Sequence, residues 1–137
     1  MKSLNRFERV IKNLGIIIIL VIPLSVQAQQ PEITSFFAYP NPFTSADTLT
    51  ILVNAASPDL TVTATLEVFD QLGDKVIVIA DAQKMDTNIN VTFSWNGFDQ
   101  KGERPQPGGY FLKLQLVYPS GDELNKIYKI VYLEKIK

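Results

Sequence analysis

From Thr48 onward the apolar residues recur at every second position, with no segment spaced for a helix, and a period of two commits a chain to half-buried strands. "TLTILVN" sets Leu49, Ile51 and Val53 on one face, and "LTVTATLEVFD" sets Val62, Ala64, Leu66 and Val68 opposite its threonines and Glu67. "KVIVIA" is a short β-branched run. "NINVTFSW" alternates Ile89, Val91, Phe93 and Trp95, and "YFLKLQLVY" alternates Tyr110, Leu112, Leu114, Leu116 and Tyr118. In the last run, "NKIYKIVYLEKIK", Ile127, Val131 and Leu133 are expected to face the core, with Lys129, Lys135 and Lys137 turned outward. Between the runs stand "YPNPF", "ASPD", "QLGD", "WNG", "PQPGG" and "PSGD", each with turn chemistry. Short strands punctuated this way predict an all-β, immunoglobulin-like antiparallel sandwich of about seven strands, ahead of a small barrel. No internal repeat or low-complexity tract points to a second domain.

The N-terminus follows another rule. Lys2, Arg6, Arg9 and Lys12 precede the apolar stretch Leu14 to Leu24, which is shorter than the roughly 20 residues a membrane-spanning helix needs. With Val26 and Ala28 at the positions a signal peptidase reads, residues 1–28 are expected to be a secretory signal peptide and Gln29 the first mature residue. The expected organisation is therefore a leader at 1–28, a short polar lead-in at 29–38 and the sandwich at 39–137. Cleavage removes four basic residues and Glu8, leaving nine bases against thirteen acids, a net charge of −4. That balance gives no electrostatic reason to bind nucleic acid.

The chain has no cysteine and no histidine. An exported fold without disulfides must hold by burial and strand pairing, and the Ser-His and Cys-His nucleophile pairs are closed to it. Asp86, Asp99, Glu103 and Asp122 are the carboxylates that a hydrolase would need in pairs, but so small a domain with a filled core offers little cleft between them. Asp99, Gly102 and Glu103 in "DQKGE" have oxygen ligands for calcium, yet Gln100, Lys101 and Arg104 interleave amide and positive charge, so Asp99 is expected to bond the amides of its own loop. "QLGD" lacks the second glycine, the Lys-Ser/Thr pair and the helix of a phosphate loop; Gly73 is expected to turn there and Asp70 to accept backbone hydrogen bonds. The tyrosines sit at alternating strand positions, where a core role outweighs a sugar-stacking one. No catalytic residue, metal, cofactor or small-molecule substrate is expected.

Four segments in order, "YPNPFTSADTLTILV", "LEVFDQLGDKVIVI", "SWNGFDQKGERPQPGGYFLKLQL" and "KIVYLEK", resemble the C-terminal sorting domains of type IX secretion and the related immunoglobulin-like domain of the flagellar hook-capping protein. The resemblance runs from about Tyr39 to Lys135. Its diagnostic residues are Pro40, Asn41, Pro42 and Phe43, the turn from Asp70 to Gly73, Trp95 and Gly97 with Asp99 and Gly102, and Gly109 with Tyr110. Within that family the chain is most similar to the domain that ends the gingipain-type sortase component; no peptidase domain is expected ahead of it, and no peptidase activity is expected to carry over.

The resemblance implies a non-catalytic β-sandwich that the outer-membrane secretion machinery recognises. Its partners would be proteins of that machinery, and its destination the periplasm, the outer-membrane surface or the medium. It also implies that Trp95 plugs the core, that the loop to Gly108 crosses to the other sheet, and that Gly109 and Tyr110 start the strand that seals it. Lys129, Lys135 and Lys137 are the candidate recognition residues. A structural or adaptor subunit docking by strand addition, and a carbohydrate-binding module, are the alternatives.

Overall fold

In a computed structural model, which describes residue 23 and residues 28–135, the alternating runs become eight strands. These are β1 (Glu32–Tyr39), β2 (Phe43–Thr44), β3 (Leu49–Ala56), β4 (Thr61–Phe69), β5 (Lys75–Asp86), β6 (Val91–Trp95), β7 (Gly108–Val117) and β8 (Glu123–Leu133). They form a three-stranded sheet in the order β1-β3-β6 and a five-stranded sheet in the order β2-β8-β7-β4-β5. All pairings are antiparallel except the two-residue match of β2 to β8, which is parallel. This is the expected immunoglobulin-like sandwich. The leader assigned to residues 1–28 falls, but for Pro23 and Ala28, outside the described residues, as does Lys137.

The core forms where alternation aims the side chains. Leu49, Ile51, Val53 and Ala55 of β3 meet Val62, Ala64, Leu66 and Val68 of β4 and Leu112, Leu114 and Leu116 of β7, all buried. Apolar area withdrawn from water in this way is the main favourable contribution to such a fold. Three expectations need correction. The segment 29–38 is no lead-in: from Glu32 it is the edge strand β1, which puts Ile33, Phe36 and Ala38 into the core. A bulge between Ile33 and Ser35 breaks its alternation, which hides the strand in the sequence. In β8 the phase is inverted. Tyr128, Ile130 and Tyr132 face inward, whereas Ile127 is 65% exposed and Leu133 45%. Alternation alone cannot choose between two apolar faces; the register Tyr110↔Ile130, which brings buried Tyr110 beside buried Ile130, decides it. Ile89 lies before β6 and is exposed rather than continuing the alternation.

Of the five changes of sheet along the chain, two position the rest. Between β1 and β2 it passes from the three-stranded to the five-stranded sheet within Pro40-Asn41-Pro42, with both X-Pro bonds cis. Proline has no N–H to leave unpaired at such a crossing. Asn41 supplies the missing rung, its Nδ2 donating to the Lys129 carbonyl at 3.1 Å and its Oδ1 accepting from the Val131 N–H at 2.9 Å. The other is the loop from β6 to β7, which crosses from the three-stranded to the five-stranded sheet, as expected.

At the opposite end the link from β3 to β4 and the turn before β6 are tied by Asn88, at φ 60°, which donates to the Ser57 carbonyl and accepts from its N–H. Tyr118, just beyond β7, is buried with its hydroxyl unpartnered among the described residues, and burial pushes its pKa up. With a folded-state pKa above the unfolded value of about 10, Tyr118 stays neutral and costs the fold nothing through ionisation below pH ~10, and stability falls as pH rises beyond it. Tyr118→Phe is expected to keep or raise stability, by up to about 1 kcal/mol, because it removes an unsatisfied hydroxyl. It should also flatten the alkaline fall. Urea melts between neutral and alkaline pH check both; a loss above about 1 kcal/mol at neutral pH would show that the hydroxyl has a partner.

Candidate functional site

The residues singled out by the resemblance come together at one end of the sandwich. Trp95, the last residue of β6, is buried, and its Nε1 donates to the Phe98 carbonyl at 2.8 Å, so the indole leaves no polar atom unpaired. Phe43 is fully buried between the rings of Trp95, 5.4 Å away, and Tyr132, 5.1 Å away. Tyr110 meets the edge of Trp95 at 6.4 Å. Four aromatic rings from β2, β6, β7 and β8 thus close the space between the sheets.

The loop over this cluster is held by its own residues. Gly97 sits at φ 79°, where a Cβ would stand 3.0 Å from Arg104 Nη1 and 3.4 Å from Phe43 Cε2, so both the backbone conformation and the packing demand glycine. Arg104, which sequence reading treated only as a charge, ties the loop down. It stacks 4.0 Å from the Phe98 ring and donates to the carbonyls of Asn96 at 3.1 Å and Ser45 at 3.0 Å. Phe98 six residues before Arg104 is the one sequence signal, and nothing in the sequence pairs them. The Tyr110 hydroxyl donates to the Gln106 carbonyl at the loop's far end. Burial first, then the Asp70 carboxylate and Tyr132, push the Tyr110 pKa up.

Two turns here share one design. In Asp70-Gln-Leu-Gly-Asp74, the Asp70 Oδ1 accepts from the N–H groups of Leu72 and Asp74, each at 2.9 Å; in Asp99-Gln-Lys-Gly-Glu103, the Asp99 Oδ1 accepts from Lys101 and Glu103, each at 2.8 Å. Each aspartate N–H bonds the carbonyl four residues on, and each glycine N–H bonds the aspartate carbonyl. Gly73 and Gly102 take φ 88° and 78°. The sequence therefore does carry a short repeat, Asp-Gln-x-Gly-acid, overlooked because five residues fall below any repeat period. As expected, both aspartates serve their own loop amides. The second turn docks on β5 through Gln100 N–H to the Val76 carbonyl, 3.1 Å.

Between the turns lies a cavity of about 370 Å³, bordered by Asp70, Asp99, Lys75, Lys101, Gln106 and Tyr110. Lys75 pairs with Glu67 at 2.6 Å. Gly109 lies close under Gln71, whose Nε2 would be 2.9 Å from an added Cβ. Among the described residues no group of three His, Cys, Asp or Glu is placed to hold a metal ion. Of the five tyrosines only Tyr39 is markedly exposed, beside Phe37 at 6.2 Å, while Tyr110, Tyr118 and Tyr132 are buried. The candidate recognition residues lie elsewhere: Lys129 is exposed on the outer face of β8, and Lys135 is exposed just beyond that strand.

No family model matches the chain, and no curated protein matches it. Solved structures do. The portion matched in the crystal structure of dimeric latent PorU from Porphyromonas gingivalis superposes with a TM-score of 0.64 at 15% identity, covering 80% of this chain and 10% of PorU. A second match, at TM-score 0.53 and 10% identity, is the Pseudomonas fluorescens alkylpurine DNA glycosylase AlkC bound to DNA containing an abasic site analog; it covers 75% of this chain and 30% of AlkC. At these identities the likeness is one of fold. This chain spans only a small part of either protein's length.

Because Trp95 is buried and bonded, the folded protein is expected to emit to the blue of free indole and to shift red in denaturant. Trp95→Ala should cost about 3–5 kcal/mol, as for other large-to-small core changes, read from urea melts. Native emission at the solvent-exposed wavelength would contradict this placement.

Proposed function

We propose that the chain is an exported, non-catalytic β-sandwich that the type IX secretion machinery recognises and carries to the cell surface. The observation that carries this reading is the superposition of four-fifths of the chain on part of PorU, a type IX secretion sortase. The sequence segments that resemble sorting domains support it independently, because their diagnostic residues meet at one end of the fold. The basic, apolar N-terminus supports export, with cleavage after Ala28. Phe43, Trp95, Gly97, Asp99 and Tyr110 spend their contacts on the fold itself, so they build the shape to be recognised rather than touch a partner. Lys129, Lys135 and Lys137 are the proposed recognition residues, at and beyond the exposed face of the last strand.

Residues 29–137 fused behind a reporter with a signal peptide, in a bacterium that has type IX secretion, should reach the surface. A variant with Lys129, Lys135 and Lys137 changed to serine should fold and remain periplasmic, as protease accessibility on intact cells would show. An intact fusion that folds yet stays periplasmic overturns the sorting role; surface delivery of both forms moves recognition off the lysines.

A further inference from the structure

The five-stranded sheet has two unlike edges. On β5 the register against β4 shifts at three places, Ala82 stands at φ 46° with its N–H held by Thr65 Oγ1, and the Asp99 turn covers the Val76 carbonyl. Bulges and covering loops are how a sheet edge is closed to further pairing. On the other side β8 runs against β7 without a break, from Gly108↔Tyr132 to Val117↔Glu123. Its outer side is paired only at Tyr132 and Leu133 by β2 and, one rung earlier, by Asn41 at Lys129 O and Val131 N. Hydrogen-bonding groups of alternate residues share one side of a strand. Since Val131 N and Lys129 O point away from β7, so do the N–H and C=O of Glu123, Asn125 and Ile127, for which the described residues hold no partner.

We propose that this free edge, Glu123 to Lys129, docks an extended acidic segment of a partner protein as an added strand. The charges select the occupant. Lys126 has the inward phase yet is exposed, Lys129 is exposed on the outer face, and Lys113 flanks Ile127 on β7 in that same outer face. Ile127, 65% exposed, gives an apolar contact between the two lysines of the edge. A second copy of this chain fits less well: antiparallel self-pairing over the free rungs sets Glu123 opposite Lys129 at both ends but is centred on Lys126, which then stands directly opposite its own symmetry mate, and like charges so placed are destabilising. Acidic residues three apart, facing Lys126 and Lys129 from the two sides of the incoming strand, turn the same positions into favourable pairs. The backbone rungs supply affinity and the lysines the selection. The surface is distinct from the aromatic end of the sandwich and stands whether or not the protein is type IX cargo.

The probe is the capped peptide Thr-Glu-Val-Val-Glu-Thr, whose sequence reads alike in both directions, against its counterpart with lysine for glutamate. Each is titrated to millimolar concentration into the isotope-labelled exported protein, and amide chemical shifts are followed. The glutamate peptide should shift Glu123 to Lys129 and Asn41, binding roughly fivefold or more tightly than the lysine peptide at low salt. The gap should shrink at high salt, and Lys126→Glu, an exposed change that leaves the core alone, should reverse the order. Equal binding of the two peptides, shifts located away from β8, or concentration-dependent β8 shifts in the protein alone, which mean self-pairing, would each overturn the proposal.

Discussion

Phe43 stands between Trp95, at the end of the three-stranded sheet, and Tyr132, in the five-stranded one, and the geometry of both sheets at this end depends on that contact. It belongs to β2, only two residues long, and β2 alone would contribute little. What fixes it is the crossing just before: Asn41 bonds the β8 backbone and so sets where Phe43 enters the core. With Phe43 in place, Gly97 can lie against its ring, Arg104 can reach over Gly97 to Ser45, and Phe98 can take the indole hydrogen bond. With neither cysteine nor histidine in the chain, this packing does the work that a disulfide or metal does in many small domains.

How far the sequence discloses this depends on whether a feature is periodic. The strands β3 and β4, and β7 from Tyr110 onward, alternate without fault, and their buried faces read directly from the residues. So do the turns at Asp70 and Asp99, because Asp-x-x-Gly has one economical way to satisfy its own amides. The misses share a cause. A bulge broke the alternation of β1, and β8 is apolar on both faces, with Ile127 and Leu133 outside and Ile130 and Tyr132 inside. Phase there is decided by the neighbour β7, which lies beyond the reach of local pattern. Arg104 was opaque for the same reason, since its partners Ser45 and Phe98 come together only through the crossover loop.

The division of labour follows from this. Aspartates, glycines and aromatics at the looped end are consumed by internal bonds, and of the side chains that edge the cavity between the two turns Asp70, Asp99, Lys75 and Tyr110 already have roles. On β8, exposed Ile127, the lysines around it and backbone groups without a partner among the described residues are directed outward. A fold can be shared with part of PorU at 15% identity because the internal contacts prescribe a shape, while the strand edge is where a partner can be chosen.

The central claim is that Phe43 couples the crossing, the last strand and the Trp95 loop into one unit. Native-state amide hydrogen exchange of Phe43→Ala tests it most directly. Protection should fall together at Phe43 and Thr44, at Val131 to Leu133 and around Trp95 and Phe98, while Val62 to Val68 in β4 keep theirs relative to global unfolding. Loss of protection confined to Phe43 and Thr44, with Trp95 and the end of β8 unchanged, would contradict the account.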